Sequence, residues 1–300
     1  MRSLKTDSNL EASEGAQLLK GAEVVAALDE KTSQKVDALG LKGIKPTLAI
    51  LRVGERGEDI SYERGAIKRA EKVGVEVLQI TLPEEVPEVE LLDSVERLNK
   101  DTSIHGVLMF RPLPKHIDEE RVRNTLSPDK DIDSITDLSL AGVFSDSGIG
   151  FAPCTAQACM EILDHFGIEV NGKKAVVVGR SLVIGKPISM MLLKQNATVT
   201  IAHSRTKGLE DVVASADIVI ACVGRTKMLG QGYLSPGQVV IDVGINVAED
   251  GSLAGDVDTN AALSCVSAIT PVPGGVGTVT TSVLMKHVVE AAERCSGEAV

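Results

Sequence analysis

The feature of this sequence that most constrains its fold is an alternation. Short segments that are apolar almost throughout, and rich in Val and Ile, are each followed by a longer stretch of helical character. In the first half, residues 46–54 (PTLAILRVG), 76–83 (EVLQITLP) and 106–109 (GVLM) read as strands, with helices predicted over 59–73 and 88–99 between them. The second half opens on a predicted helix over 155–166 and continues with strands at 174–178 (KAVVV), 198–202 (TVTIA), 218–223 (IVIACV) and 239–243 (VVIDV). A strand with no polar face has to be covered on both faces, and parallel sheets flanked by helical crossovers meet that need.

The predicted fold class is therefore α/β, in two domains: an N-terminal α/β substrate domain and a second domain with a mainly parallel sheet. A length of 300 residues, at about 150 per domain, agrees with two. The join is expected between Ser134 and Pro153, where the run SDSGIG interrupts the pattern, which gives residues 1–150 and 151–277. A last helix, over about 278–294 within the terminal segment 278–300, is expected to return to the first domain.

Composition excludes several functions. The net charge of −11, from 31 basic and 42 acidic residues, disfavours a nucleic-acid backbone as partner. The chain has no Trp, and its aromatic side chains are Tyr62, Tyr233, Phe110, Phe144, Phe151 and Phe166, too few for rows of base-stacking rings. Five cysteines, an odd number without C-x-x-C spacing, read as reduced core thiols of a cytoplasmic protein; no metal site is expected. The first fifteen residues are polar and of mixed charge, and no run of about 18 apolar residues occurs, so no signal peptide and no membrane partner are expected.

The richest segment is 174–193 (KAVVVGRSLVIGKPISMMLL), read as a strand, a turn carrying Gly179 and Gly185, and a helix with Pro187 in its first turn. Glycine lets a backbone approach a pyrophosphate, whose charge is favoured by the helix N-terminus. The spacing departs from G-x-G-x-x-G, so a tight turn without a ligand stands beside the Rossmann-type reading. The next strand ends in His203-Ser204-Arg205, where a site specific for NAD places an acidic residue for the ribose hydroxyls. A hydroxyl and a guanidinium there, with Arg180 in the turn, suit a 2′-phosphate and favour NADP; a solvated Arg205 is the plainer alternative. Gly224, the segment DVGIN (242–246) and Gly274 to Gly277 stand at or after further strand ends, where the crevice of an open α/β sheet lies.

Together these residues resemble the methylenetetrahydrofolate dehydrogenase/cyclohydrolase family. The resemblance runs from about Leu18 to Arg294 through VG (53–54), SY (61–62) with EKVGV (71–75), PLP (112–114), PDKDID (128–133), PCT (153–155), GRSLVIGKP (179–187), HSRT (203–206), VIDVGIN (240–246), GDVD (255–258) and ITPVPGGVG (269–277). It implies a two-domain homodimer that oxidises methylenetetrahydrofolate with NADP, or NAD in some members, and in many members hydrolyses the methenyl product to formyltetrahydrofolate in the same cleft. By the same resemblance, Tyr62 packs against the folate and Asp133 hydrogen-bonds its pterin edge. Arg180, Ser181, Ser204, Gly224 and Ile245 line the NADP site, and Pro273, Gly274 and Gly275 shape the wall near the reacting carbon.

Two departures bear on the second reaction. The family's usual Tyr-x-x-x-Lys, whose lysine handles protons, is here Tyr62-Glu63-Arg64-Gly65-Ala66. Lys68 follows, but at about 100° per helical residue it lies about 120° around the axis from Tyr62, against about 40° for position 66. A distortion at Gly65 would be needed to bring Lys68 inward. Where the family usually reads Val-Gln-Leu-Pro, this chain reads Met109-Phe110-Arg111-Pro112, so the lysine's glutamine partner is a phenyl ring that neither accepts a proton nor holds an ammonium. Phe110 is expected to stack on the pterin or to fill the volume left by Ala66. Arg111 is a candidate for the substrate's glutamate carboxylates, with a surface ion pair as the alternative.

Hydride transfer depends mainly on orientation, whereas hydrolysis needs a positioned acid/base worth about 10²- to 10⁴-fold. The expectation is a dehydrogenase whose cyclohydrolase step is weak, absent or run by another group, with Lys68, Asp133 and His105 the candidates. A silent folate- or NADP-binding protein, and an NADP dehydrogenase of another two-domain class, are the competing readings.

Overall fold

The structure is a computed structural model that describes residues 15–248 and 251–297. The polar start at 1–14 and the end of the expected terminal segment, 298–300, lie outside the described residues.

The chain runs β1 (Gln17–Leu18), α1 (Gly21–Gly40), β2 (Thr47–Val53), α2 (Gly57–Val73), β3 (Glu76–Leu82), α3 (Glu88–Lys100), β4 (Gly106–Met109), α4 (Glu119–Thr125) and α5 (Asp137–Ser145). It continues through α6 (Cys154–His165), β5 (Lys174–Val178), α7 (Gly185–Lys194), β6 (Thr198–Ala202), α8 (Leu209–Ala214), β7 (Ile218–Ala221) and β8 (Val239–Asp242). A small antiparallel pair follows, β9 (Asn246–Val247) and β10 (Leu253–Ala254), then α9 (Thr259–Leu263), β11 (Ala268–Ile269) and α10 (Val276–Cys295).

Two parallel sheets form, as the apolar segments require. The first has order β3-β2-β4, with Ile50 of the central strand opposite Gln79 and Leu108. The second has order β1-β11-β8-β7-β5-β6. The order in which strands are added reverses at β5, which lies between β6 and β7, and an open α/β sheet binds its ligand at such a switch point.

Every expected strand is present within two residues of its predicted ends. The helix predicted over 59–73 starts at Gly57, carries Glu58 and Asp59 in its first turn, and ends on Gly74 at φ 83°, the left-handed stop that glycine supplies. Two differences have physical causes. The interruption at 134–153 contains α5, whose first turn is capped by Thr136 Oγ1 accepting from Ser139 N at 3.1 Å. The glycines after it make the turn: Gly150 has φ 67°, and a Cβ there would strike Ser139. Second, β1 lies before residue 150 yet pairs with β11 in the second sheet.

One continuous apolar core joins the halves. It takes Leu48, Ile50 and Leu108 from the first sheet, Val177, Ile220 and Ile241 from the second, and Val279, Val283, Leu284 and Val288 of α10 between them. α10 packs on α1, α2 and α6. The outer faces of the two sheets carry separate clusters centred on Leu51, Val95 and Val122 and on Val178, Val219 and Val240.

Candidate active site

Parallel strands point their carboxyl ends the same way, so residues just past β4 and β8 meet across one cleft of about 530 Å³. Tyr62, Phe110, Arg111, Asp133, Cys154 and Thr155 line it from one side, and Val243, Ile245, Val276, Gly277 and Thr280 from the other. Tyr62 comes from α2 and Phe110 follows β4; their ring centroids lie 5.9 Å apart with planes at 83°, an edge-to-face pair. Burial pushes the Tyr62 hydroxyl above the usual phenol range, Asp133 and Cys154 push it further, and the Thr280 hydroxyl opposes them.

Asp133 sits at the floor. Its Oδ1 accepts from Cys154 N at 2.9 Å at the start of α6. Burial raises the Asp133 pKa, with the Asp131 carboxylate adding to it; the Cys154 hydrogen bonds and Arg111 act the other way. The loop is held by fully buried Asp131, which accepts from Ile135 N at 2.9 Å and Thr136 N at 2.8 Å. Ser134, next to Asp133, has φ 57°, and its buried hydroxyl has no partner.

The two departures belong to one apolar core. Ala66 is fully buried in the core against which Phe110 packs. The distortion that Lys68 would need is absent: α2 runs unbroken through Gly65, leaving Lys68 exposed and outside the cleft lining. His105 is also excluded. It lies at the amino end of β4, opposite the cleft, and its Nδ1 accepts from Thr47 N at 3.1 Å; burial, then Lys130, lowers its pKa. Arg111 lines the cleft and is also 3.6 Å from Glu119, the ion pair named as its alternative role.

The nucleotide side is made of backbone. Gly179 has φ 137°, and a Cβ there would collide with the Cys222 carbonyl, so β5 and β7 close together only because position 179 has no side chain. Gly185 similarly lets α7 begin against the Gly179 carbonyl, two residues before Pro187. Gly179 N donates to Ala202 O at 2.9 Å, which sets Arg180 beside the turn His203-Ser204-Arg205. In that turn His203 Nδ1 accepts from Arg205 N at 3.2 Å, and Ser204 and Arg205 are exposed. Ser181 Oγ accepts from Ile184 N at 3.2 Å. An opening of about 230 Å³ lined by Ile245, Pro273, Gly274 and Gly275 shares Val243, Ile245, Val276 and Gly277 with the first cleft. Exposed cations beside a helix start and a side-chain-free turn fit a dinucleotide bearing a 2′-phosphate.

Sequence reasoning gave Asp242 and Asp256 no role, although both stand in segments it quoted. Asp256 accepts from Val223 N at 2.6 Å, Gly224 N at 3.0 Å, Arg225 N at 2.9 Å and Asn246 Nδ2 at 2.9 Å, fixing the loop after β7. Asp242 accepts from Gly244 N, Asp256 N and Val257 N; burial lifts it to about 6. A carboxylate at the end of an apolar strand, VIDVG, was the available signal. Thr280 and Cys154 were missed as cleft residues because their approach is made by tertiary packing. Among the described residues no cluster fit for a metal ion occurs, and no helix is long and apolar enough to cross a membrane.

Comparison with known proteins agrees with this geometry. The catalytic domain of tetrahydrofolate dehydrogenase/cyclohydrolase matches residues 19–133, and the NAD(P)-binding domain of the same family matches residues 153–296. The bifunctional protein FolD of Clostridioides difficile (strain 630) is 50% identical over 275 residues, covering 92% of this chain and 96% of that protein. The solved FolD of Campylobacter jejuni aligns with a TM-score of 0.90 at 35% identity, over 93% of this chain and 99% of that one. The Trypanosoma brucei methylenetetrahydrofolate dehydrogenase-cyclohydrolase, solved with NADP cofactor and an inhibitor, aligns with a TM-score of 0.87 at 32% identity, over 96% of this chain and all (100%) of that one.

Proposed function

The chain belongs to the tetrahydrofolate dehydrogenase/cyclohydrolase family, and from that premise we propose that it oxidises methylenetetrahydrofolate to methenyltetrahydrofolate with NADP and hydrolyses the product poorly or not at all. Residues before 150, with α10, supply the folate side; residues 151–277 supply the nucleotide side.

Tyr62 and Phe110 give a flat substrate two apolar ring surfaces. Asp133 accepts hydrogen bonds from the pterin edge, and those donors restore the ionised carboxylate that burial disfavours. Arg111 meets the glutamate carboxylates at the rim, exchanging its 3.6 Å contact with Glu119. Gly179, Arg180, Ser181, Gly185, His203, Ser204, Arg205, Gly224 and Ile245 hold the dinucleotide, with Arg180, Ser204 and Arg205 toward the 2′-phosphate. Pro273, Gly274 and Gly275 form the wall against which the methylene carbon is presented. NADP, when bound, supplies the hydride acceptor. The cation left behind is shared between two substrate nitrogens, so the protein contributes orientation and exclusion of water rather than a base.

Hydrolysis asks for more. Water must lose a proton and a ring nitrogen must gain one. The observation that carries the proposal is that Ala66, fully buried in the core against which Phe110 packs, stands at the position where the family's usual pattern has the proton-handling lysine. The neighbouring hydroxyl and thiol do not substitute at neutral pH, since burial holds both Tyr62 and Cys154 protonated. Any residual hydrolysis falls to Asp133.

The test is the ratio of the two activities on one preparation: NADPH absorbance on adding methylenetetrahydrofolate, and decay of methenyltetrahydrofolate absorbance. NADPH formation with hydrolysis at least about 10²-fold slower is expected. Comparable rates overturn the proposed loss, and binding without NADPH formation replaces the dehydrogenase by a silent binding protein. A homodimer in the cytoplasm completes the reading. The unpaired edge of β6, with Ile201 39% exposed, supports the first, and five free cysteines the second. A light-scattering mass of one chain would remove the dimer.

A further inference from the structure

Behind the cleft, α10 presents a histidine that the oxidation does not use. His287 is 3% exposed, and burial holds it neutral. Its Nδ1 lies 2.8 Å from the Ile132 carbonyl, an acceptor only, so that nitrogen carries the proton. The same carbonyl accepts from Cys154 Sγ at 3.3 Å, and Cys154 Sγ lies 3.8 Å from His287 Nδ1. Cys154 in turn donates its backbone N–H to Asp133 Oδ1 at 2.9 Å. Two donors from two helices thus clamp the peptide that leads into Asp133.

We propose that His287 is a positioning residue for folate oxidation: with Cys154 it fixes the Ile132–Asp133 peptide, and so the direction in which Asp133 presents its carboxylate to the pterin. The loop needs such a clamp. Ser134 on the far side of Asp133 is held at φ 57° with an unpaired hydroxyl, so the local backbone does not prefer the conformation the site uses. Asp131 secures the chain after this point, through Ile135 and Thr136, and leaves the Ile132 carbonyl to His287 and Cys154. The ring itself is set from behind. It packs on Phe151 with centroids 5.0 Å apart and planes at 34°, and the Arg294 guanidinium lies over the Phe151 ring at 4.1 Å. His287, Phe151 and Arg294 also border a cavity of about 340 Å³. A leucine at 287 therefore has room, which separates loss of the donor from loss of packing.

The inference rests on the reading of Asp133 as the pterin-binding carboxylate, so Asp133→Asn is measured alongside. Steady-state kinetics and thermal midpoints are compared for His287→Leu and His287→Asn; asparagine keeps a donor near the place of Nδ1. His287→Leu is expected to lower kcat/KM for methylenetetrahydrofolate about tenfold, the upper end for one neutral hydrogen bond. KM for NADP stays unchanged, and His287→Asn recovers most of the loss. A folded His287→Leu enzyme with unaltered folate kinetics overturns the proposal, as does His287→Asn impaired to the same extent. If leucine prevents folding, Cys154→Ala against Cys154→Ser reads the same clamp, with loss expected for alanine and retention for serine; equal behaviour of that pair overturns it. Asp133→Asn with unaltered kcat/KM removes the underlying reading of Asp133. Impairment there without impairment in His287→Leu removes only the positioning role.

Discussion

The two sides of the cleft are built from different materials. The nucleotide side is made of main chain: Gly179 and Gly185 where side chains do not fit, and a loop hung on the Asp256 carboxylate. The folate side is made of side chains: Tyr62, Phe110, Arg111 and Asp133 line the cleft, with Ala66 buried in the core behind. The part of a site made of backbone changes only when the fold changes, which leaves the rim side chains Arg180, Ser204 and Arg205 to tune the choice of nucleotide. A site made of side chains can lose one reaction by substitution at two positions and keep the fold and the other reaction. On the proposed reading, this contrast lets hydrolysis be lost while the NADP chemistry is kept.

The sharpest way to test the contrast is to rebuild the side-chain half. Ala66→Lys with Phe110→Gln is expected to raise methenyltetrahydrofolate hydrolysis by about 10²-fold or more, the usual worth of a placed acid/base. Ala66→Lys alone, with no partner for its ammonium, gains little in the same absorbance assay. In the backbone half one methyl should suffice for damage. Gly179→Ala is expected to weaken NADP binding by about a hundredfold, from overpacking of about 1–3 kcal/mol together with strain at φ 137°, as read by fluorescence titration.

Asp242 gives that half a pH signature. Its folded pKa of about 6 lies above its ordinary value of 3.8, so below about pH 4 it is protonated in both folded and unfolded chains. As pH rises through 4 to 6 the unfolded chain releases this proton first, and stability falls until the folded carboxyl has ionised too. Two pH units at about 1.4 kcal/mol each set an upper figure of about 3 kcal/mol. Denaturant midpoints of the native protein should show this fall, and Asp242→Asn should lack it.

Arg180→Ala should raise KM for NADP about tenfold, the worth of a charge-assisted hydrogen bond, and leave KM for NAD nearly as it was. Equal effects would detach Arg180 from the 2′-phosphate. The smallest effect falls beside the folate floor: Ser134→Gly, which removes a side chain at φ 57° and an unpaired buried hydroxyl, is expected to add about 1 kcal/mol to stability. Thermal denaturation would show a rise of about 2–4 °C.

What was legible in the sequence followed the same division. Strands apolar on both faces announced the parallel sheets, and glycines at strand ends announced the dinucleotide turn, because backbone requirements leave local marks. α1 left none at its start, where Lys20 caps without a side-chain hydrogen bond, and it went unread. Lys68 was a candidate only while a distortion at Gly65 stayed open, and the unbroken α2 closes that route. The link from His287 to Ile132 joins positions 155 residues apart, and no local pattern encodes such a contact. Asp256 lay in view in GDVD, yet its four donors come from segments distant in sequence.

The interlaced ends of the chain bear on its synthesis. Strand β1 closes the edge of a sheet whose other members follow residue 173, and Gly21 N at the start of α1 bonds Gly274 O at 2.9 Å. As a ribosome delivers the chain from the amino terminus, β2, β3 and β4 can pair early, but α1 emerges with its apolar side uncovered and waits for α10, which is made long after it. The nascent first half thus carries an exposed apolar stripe until α10 is made. The arrival of α10 completes both halves together.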